Sequence, residues 1–233
     1  MIDLNCDMGE LEDAAHEAAL MEHVTSANIA CGGHAGDEAT MRRTVLMALE
    51  RGVRIGAHPG YPDREHFGRI ELPMTPEEIE RTVIEQIEAL EGVVRQLGGE
   101  IVHVKPHGAL YNVAVKNVSV ARAIGAAVKR WNATAAVFGL AGSPMLDVWR
   151  EMGLRPVGEG FADRRYEPDG TLRNRKFPDA LITEPAAAAA QAVRLGREGG
   201  AQTICVHGDT PGAVEILRAC REALFAPGVF PGA

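Results

Sequence analysis

Residues 102–112, VHVKPHGALYN, decide the fold. Strand alternation sets Val102 and Val104 on one face and His103, Lys105 and His107 on the other, until Pro106 and Gly108 stop the strand. An apolar-backed strand that delivers a lysine and a histidine at its C-terminal end, followed by Tyr111 and Asn112, is poor core material. It is a good support for proton transfer and carbonyl polarisation.

Moving outward from this segment, the same plan recurs. At the N-terminus Ile2, Leu4 and Cys6 alternate with Asp3, Asn5 and Asp7, an apolar face against a carboxylate-amide face. A second strand over 24–31 ends in Gly32-Gly33-His34-Ala35-Gly36-Asp37 and leads into a helix over 38–51 that Gly52 stops. The third strand, 53–57, exits through His58-Pro59-Gly60-Tyr61-Pro62-Asp63, a stiff loop that holds His58 in place. Thr75-Pro76-Glu77-Glu78 then reads as a capping box, and Ile79, Val83, Ile87, Leu90, Val94 and Leu97 form a helical stripe ending at Gly98-Gly99.

On the C-terminal side, Ser119 is expected to cap a helix to Trp131, and a fifth strand covers 134–140. Ser143-Pro144 starts a helix whose free N–H groups suit an anion. A sixth strand, 155–161, exits into the long irregular stretch 162–179, with a small hairpin at Asp169-Gly170. Residues 164–176 carry five basic side chains against two acidic ones, a net +3 that suggests an anionic ligand or an acidic partner surface. An alanine-rich helix over 185–197, a seventh strand over 203–206 with the exit His207-Gly208-Asp209, and a helix to Leu224 complete the pattern. The Pro/Gly-rich tail 226–233 is expected to fray.

Seven strands, most followed by helices, require a parallel sheet. Strands one, three, four and seven all end in Asp, His or Lys. A closed seven-stranded α/β barrel of TIM-like type explains this, because its strand C-termini share one mouth. An open doubly wound sheet is the alternative, but neither a G-x-G-x-x-G turn nor a phosphate loop is present. No linker divides 1–233, so a single barrel domain is expected.

Composition bounds the function. A hydrophobic content of 46% with 24% charged residues is that of a globular chain, and a net charge of -8 argues against a nucleic-acid duplex as partner. Four cysteines without a CxxC pair read as reduced packing residues. The first strand begins at once, without a basic or apolar leader, and no apolar run reaches the ~18 residues of a membrane span. A cytoplasmic location follows as the expectation.

The set that converges at the mouth is Asn5, Asp7, Asn28, His34, His58, Lys105, His107, His207 and Asp209, with His16, His23, His66 and His103 assigned to surface or support. A divalent metal activating water is one chemistry for it. General acid/base work by His107, His207 and Asp7, with Lys105 polarising an oxygen, is the other. The second is preferred, since an ammonium amid the set repels a cation.

The runs IDLNCDMGE, TSANIACGGHAGD, IGAHPGYPD, HVKPHGALYN, LAGSP, FADRRY and CVHGDTPGAVE, in this order from Ile2 to Leu224, resemble those of the LamB/YcsF family. The resemblance implies an irregular seven-stranded barrel akin to glycoside hydrolases and carbohydrate deacetylases. It also implies a role as the A component of an ATP-dependent 5-oxoprolinase, which with subunits B and C converts 5-oxo-L-proline, ATP and two waters to L-glutamate, ADP and phosphate. ATP is then a co-substrate, a divalent metal stays open, and so does self-association. On this reading Lys105 and Arg165 hold carboxylate or phosphoryl oxygens, Asp7 or His107 positions water, and His207 with Asp209 handles the leaving-group proton. The start of the last helix, 208–212, would take a phosphate. Asn5, Asn28, His34, His58, Tyr111 and Asn112 complete the substrate contacts. Three departures stand out: Gly33 replaces the family's aromatic before His34, Ile70 replaces a second arginine after Arg69, and the segments after Glu10 and after Arg197 are shorter. The other readings are a metal-dependent hydrolase of acylated sugars and a non-catalytic scaffold.

Overall fold

Apart from a few residues of the third, fourth and sixth, every strand is buried on both faces, as a sheet closed on itself and wrapped by helices demands. The computed structural model describes residues 2–230. In chain order the strands are β1 Asp3–Met8, β2 Ser26–Ala30, β3 Arg54–His58, β4 Ile101–Val104, β5 Ala136–Leu140, β6 Arg155–Phe161 and β7 Thr203–Cys205. All pair in parallel with their sequence neighbours, and β7 returns to β1 through Asp3 opposite Thr203, which closes the barrel.

The outer layer consists of α1 Ala14–Met21, α2 Glu38–Arg51, α3 Pro76–Gln96, α4 Gly108–Lys116, α5 Val118–Asn132, α6 Pro144–Glu151, α7 Pro185–Arg197 and α8 Ala213–Leu224. The capping box at α3 forms as read, with Thr75 and Glu78 each satisfying the other's backbone N–H. Its stripe, Ile79, Val83, Ile87, Leu90 and Val94, is buried. The alanines of α7 let it lie close against α8, and Trp149 of α6 ties to α5 by donating its indole N–H to the Ala121 carbonyl at 2.8 Å.

Two helices have no counterpart in the sequence pattern. α1 has no clean apolar stripe and is fixed instead by Asp13, whose carboxylate accepts from the Ala15 and His16 N–H groups. α4 begins at Gly108, the residue expected only to end a strand, and a Cβ there would press on the Gly68 carbonyl at 2.6 Å. Because α4 occupies 108–116, the cap of α5 is Asn117 rather than Ser119: the Asn117 side chain accepts from the Ser119 and Val120 N–H groups. At α6 Pro144 takes the first turn as expected, but the Ser143 hydroxyl donates back to Leu140 and caps nothing. Residues 231–233 of the expected frayed tail lie outside the described residues. Over 226–230, the Val229 carbonyl accepts from Arg197 and Phe230 packs on the core.

The barrel's N-terminal end is closed by polar groups. Asp3 accepts from Ser26 and Thr203 and pairs with Arg54. Higher up, the register between β3 and β4 shifts at Ile55/Gly56, so that His103 lies opposite Gly56. The bare glycine makes room for the imidazole, since a Cβ at Gly56 would overlap the His103 ring. His103 stacks on Phe138 at 4.2 Å and reaches Asn28 Oδ1 at 2.8 Å.

Gly56→Ala is therefore expected to lower the unfolding free energy by roughly 1–3 kcal/mol, the usual range for overpacking. Gly92→Ala, at an exposed position of α3 with no neighbour near its missing Cβ, is expected to raise it by about 0.5–1 kcal/mol. Urea denaturation of both variants checks the pair.

Candidate functional site

At the C-terminal end of the strands lies an open cavity of about 670 Å³. Its base is an ammonium. Lys105 leaves the end of β4 pointing inward, only 2% exposed, with Nζ 2.8 Å from Asp7 Oδ1, 3.0 Å from Glu159 Oε1 and 3.0 Å from Cys205 Sγ. Burial by itself would discharge Lys105, but the two carboxylates outweigh it and hold the ammonium well above its ordinary pKa. Burial likewise opposes ionisation of Asp7, and His58 and Lys105 pull its pKa well below the carboxylate range. Beneath this pair an amide ladder locks the geometry: Asn28 Nδ2 donates to Asp7 and to Asn5 Oδ1, and Asn5 Nδ2 donates to Glu159 and Thr203.

A second group is built around Glu10. Its carboxylate Oε1 lies 2.8 Å from His34 Nε2, 3.2 Å from His107 Nδ1 and 3.5 Å from His58 Nε2. The β1–α1 turn that presents Glu10 is held from behind by buried Glu17, whose Oε1 accepts from the Gly9, Glu10 and Leu11 N–H groups. Burial pushes His34 down to about 4, so that it is neutral, and it stacks flat on His107 at 3.6 Å. Burial also disfavours the cationic form of His58, but Asp7 and Glu10 reverse this and raise its pKa. These four side chains form one cluster able to hold a metal ion; Asp7, Cys205 and His207 form another.

The rim carries the remaining charge. His207 Nδ1 is 3.0 Å from Asp163, whose other contacts are the His207 N–H and the Thr210 hydroxyl. Asp209 pairs with Arg69 and Arg175. Arg164 is 6% exposed on the cavity wall, its Nε without a partner, and burial followed by the nearby Arg175 lowers its pKa to about 10. The buried Tyr111 hydroxyl turns toward Glu159, whose Oε2 is likewise buried without another partner.

Of the residues singled out from sequence, Asp7, His58, Lys105, His107, Tyr111, Asn112, His207 and Asp209 line the cavity. Four do not. Asn5, one layer down, and Asn28, opposite Asp7, are fully buried in the ladder, and His34 sits behind Glu10 and His107. Arg165 is exposed and faces away; Arg164, which precedes it, turns inward in its place, joined by Arg175 from across the hairpin. Of the pair assigned to the leaving-group proton, His207 is held by Asp163 and Asp209 pairs with Arg69 and Arg175. At 208–212 the Thr210 N–H bonds the His207 carbonyl and the Ala213 N–H bonds the Thr210 carbonyl, while the N-cap of α8, Gly212, carries no side-chain cap. The sequence reading missed Glu10, Glu159 and Asp163. Glu10 closes the run IDLNCDMGE and Asp163 stands within FADRRY, so the runs that carry the family resemblance contained both. The Gly33 departure has a local reason: the Gln86 side chain fills the space a Cβ would need, and it binds both backbone polar groups of Gly60, two residues beyond His58.

Comparison with known proteins places these features. The profile of the LamB/YcsF family matches residues 2–230. The 5-oxoprolinase A subunit of Chloroflexus aggregans is 50% identical over 243 residues, covering 98% of this chain and 96% of that protein. Among solved structures, the lactam utilization protein of Thermus thermophilus superposes with a TM-score of 0.88 at 40% identity, covering 96% of this chain and 95% of the other. A family 4 carbohydrate esterase of Streptomyces lividans, at TM-score 0.51 and 14% identity over 96% of this chain and 86% of its own, shares the fold. Among the described residues no helix is long and apolar enough to cross a membrane.

Burial opposes the Asp163 carboxylate, yet His207 and Thr210 hold its pKa down to about 2. A depressed carboxylate stabilises the fold above its unfolded pKa of about 4 and loses that contribution as pH falls toward 2. At pH 6 the gain is about 2 kcal/mol. Asp163→Asn is expected to be less stable than wild type by about that amount at pH 6, with the gap closing between pH 4 and pH 2. Denaturant titrations across this range measure it.

Proposed function

Because the chain belongs to the LamB/YcsF family, we propose that it is the A component of an ATP-dependent 5-oxoprolinase, working with subunits B and C to open 5-oxo-L-proline to L-glutamate. The observation that carries this reading is the set of buried donors short of partners around the cavity that Lys105 lines: Arg164 Nε, and the Tyr111 hydroxyl, which has only the Glu159 carboxylate to turn to. Unmet buried donors cost free energy unless a ligand supplies acceptors. A lactam acid supplies them, with a carbonyl oxygen for Lys105 and Tyr111 and a carboxylate for Arg164 and Arg175.

A five-membered lactam resists water at neutral pH because amide resonance lowers the electrophilicity of its carbonyl. ATP solves this by phosphorylating the amide oxygen. Water then adds to the activated carbon, the C–N bond breaks, the nitrogen takes a proton, and an acyl phosphate remains. A second water releases phosphate and leaves the new carboxylate of glutamate, so both waters and the ATP are accounted for. Asp7, held as a carboxylate on the cavity wall, is the group suited to orient the water, and His207, oriented by Asp163, is suited to protonate the departing nitrogen. Lys105 and Arg164 meet the negative charge that develops on oxygen.

The test is 5-oxoproline-dependent formation of ADP and glutamate by this chain alone, by B plus C, and by all three together. Only the complete assembly is expected to couple the two products. In it, Lys105→Ala is expected to lower kcat about 10²–10³-fold, and Tyr111→Phe to raise KM for 5-oxoproline roughly 3–10-fold. Near-normal coupled turnover in Lys105→Ala and His107→Ala would overturn the placement of the site.

A further inference from the structure

We infer that Glu10, His58 and His107 form a divalent-metal site, with zinc as the fitting ion and His34 as the residue that positions Glu10. This goes beyond the lactam reaction and does not rest on it.

The first support is tautomer geometry. His58 Nδ1 faces only the Lys105 carbonyl, at 2.7 Å, and His107 Nε2 faces only the Phe67 carbonyl, at 2.9 Å. Carbonyls accept and do not donate, so each of these nitrogens carries the ring hydrogen. The opposite nitrogens, His58 Nε2 and His107 Nδ1, therefore turn lone pairs on each other at 3.0 Å, and both face the Glu10 carboxylate. Three acceptors aimed at one point repel unless a cation lies among them, either a proton on His58 Nε2 or a metal ion bound by all three. Backbone carbonyls behind imidazoles are the usual means of fixing a ligating histidine.

Spacing is the second support. The three donor atoms stand 3.0, 3.2 and 3.5 Å apart. A tetrahedral zinc with bonds of about 2.0–2.1 Å needs ligand atoms about 3.3 Å apart. All three residues line the cavity, which leaves the fourth position open to it. His34 differs: its Nδ1 is buried without a partner, so ligation through Nε2 would orphan an N–H, whereas donation from Nε2–H to Glu10 does not.

Charge is the third. Asp7 and Glu159 contact the single ammonium of Lys105, and Glu10 stands against His58, itself in contact with Asp7, so three carboxylates share this end of the cavity with one lysine, an excess that a divalent ion balances. Repulsion from Lys105, which weighs against a metal when the sequence is read alone, is met by its two carboxylate partners. Bound there, a zinc ion would supply Lewis acidity toward a carbonyl or a water.

The experiment uses the full chain, stripped by chelator and dialysed, titrated with Zn²⁺ and Co²⁺ by calorimetry and visible absorption. One equivalent should bind, the cobalt spectrum should be four- or five-coordinate without a thiolate band, and zinc X-ray absorption should show imidazole nitrogens and no sulfur near ~2.3 Å. Glu10→Gln and His107→Ala should weaken binding at least 100-fold, and His34→Ala about 10–100-fold as expected for a group behind a ligand. Cys205→Ser should leave it unchanged. No stoichiometric binding to the wild-type chain overturns the inference. So does a thiolate band or a sulfur contact, which would move the ion to Asp7, Cys205 and His207, and so does affinity retained within threefold in Glu10→Gln. The wild-type spectra decide the matter even where a variant fails to fold, and none of these readouts involves ATP or 5-oxoproline.

Discussion

A lysine with a full charge, placed where water scarcely reaches, is the constraint on which the rest of this structure depends. Removing an ammonium from water costs several kcal/mol unless opposite charges and hydrogen bonds replace the solvent. Asp7 and Glu159 do so from β1 and β6, and the Asn5–Asn28 ladder keeps those carboxylates from turning away. Four strands are thereby joined through their side chains as well as their backbones. The barrel interior is a polar lattice over much of its height, from Asp3 at one end through His103 and the amides to Lys105, while the apolar core lies between strands and helices.

This division explains what could be read from the sequence. Alternation in β1 and β4 exposed the polar inner face, and the rule that strand tips share one rim put Asp7, His58, Lys105 and His207 together, as the cavity shows. Depth was harder to read. Asn5 shares a face with Asp7 one pleat lower, and Asn28, opposite Asp7 in the register, is fully buried all the same; alternation cannot distinguish such depths. The shift of register at Gly56 further changes which β4 residue meets which β3 residue, and nothing in the local pattern announces it.

Loops were the other blind spot. Glu10 lies past the last periodic residue of β1, so no strand rule assigned it a direction; its orientation comes from Glu17, seven residues on, which caps the turn from within α1. Arg164 and Arg165 are neighbours with the same chemistry. Only the bridge from Arg164 to Leu181 decides which of them turns inward, and that pairing spans a stretch without regular structure. Asp163 was hidden because its partner, His207, comes from a different strand exit.

Phe67 and Gly68 both adopt left-handed backbone, and Phe67 is alone among the described non-glycine residues in doing so. The conformation turns the Phe67 carbonyl onto His107, and the Gly68 carbonyl accepts from Ala109, while any Cβ on Gly68 would strike His34 and His107. Two loops that are far apart in the chain are therefore mated backbone to ring. Neither can accumulate insertions on its own without misaligning an imidazole, so over evolutionary time the two should vary in length and shape only in concert, a coupling invisible to any inspection of single positions.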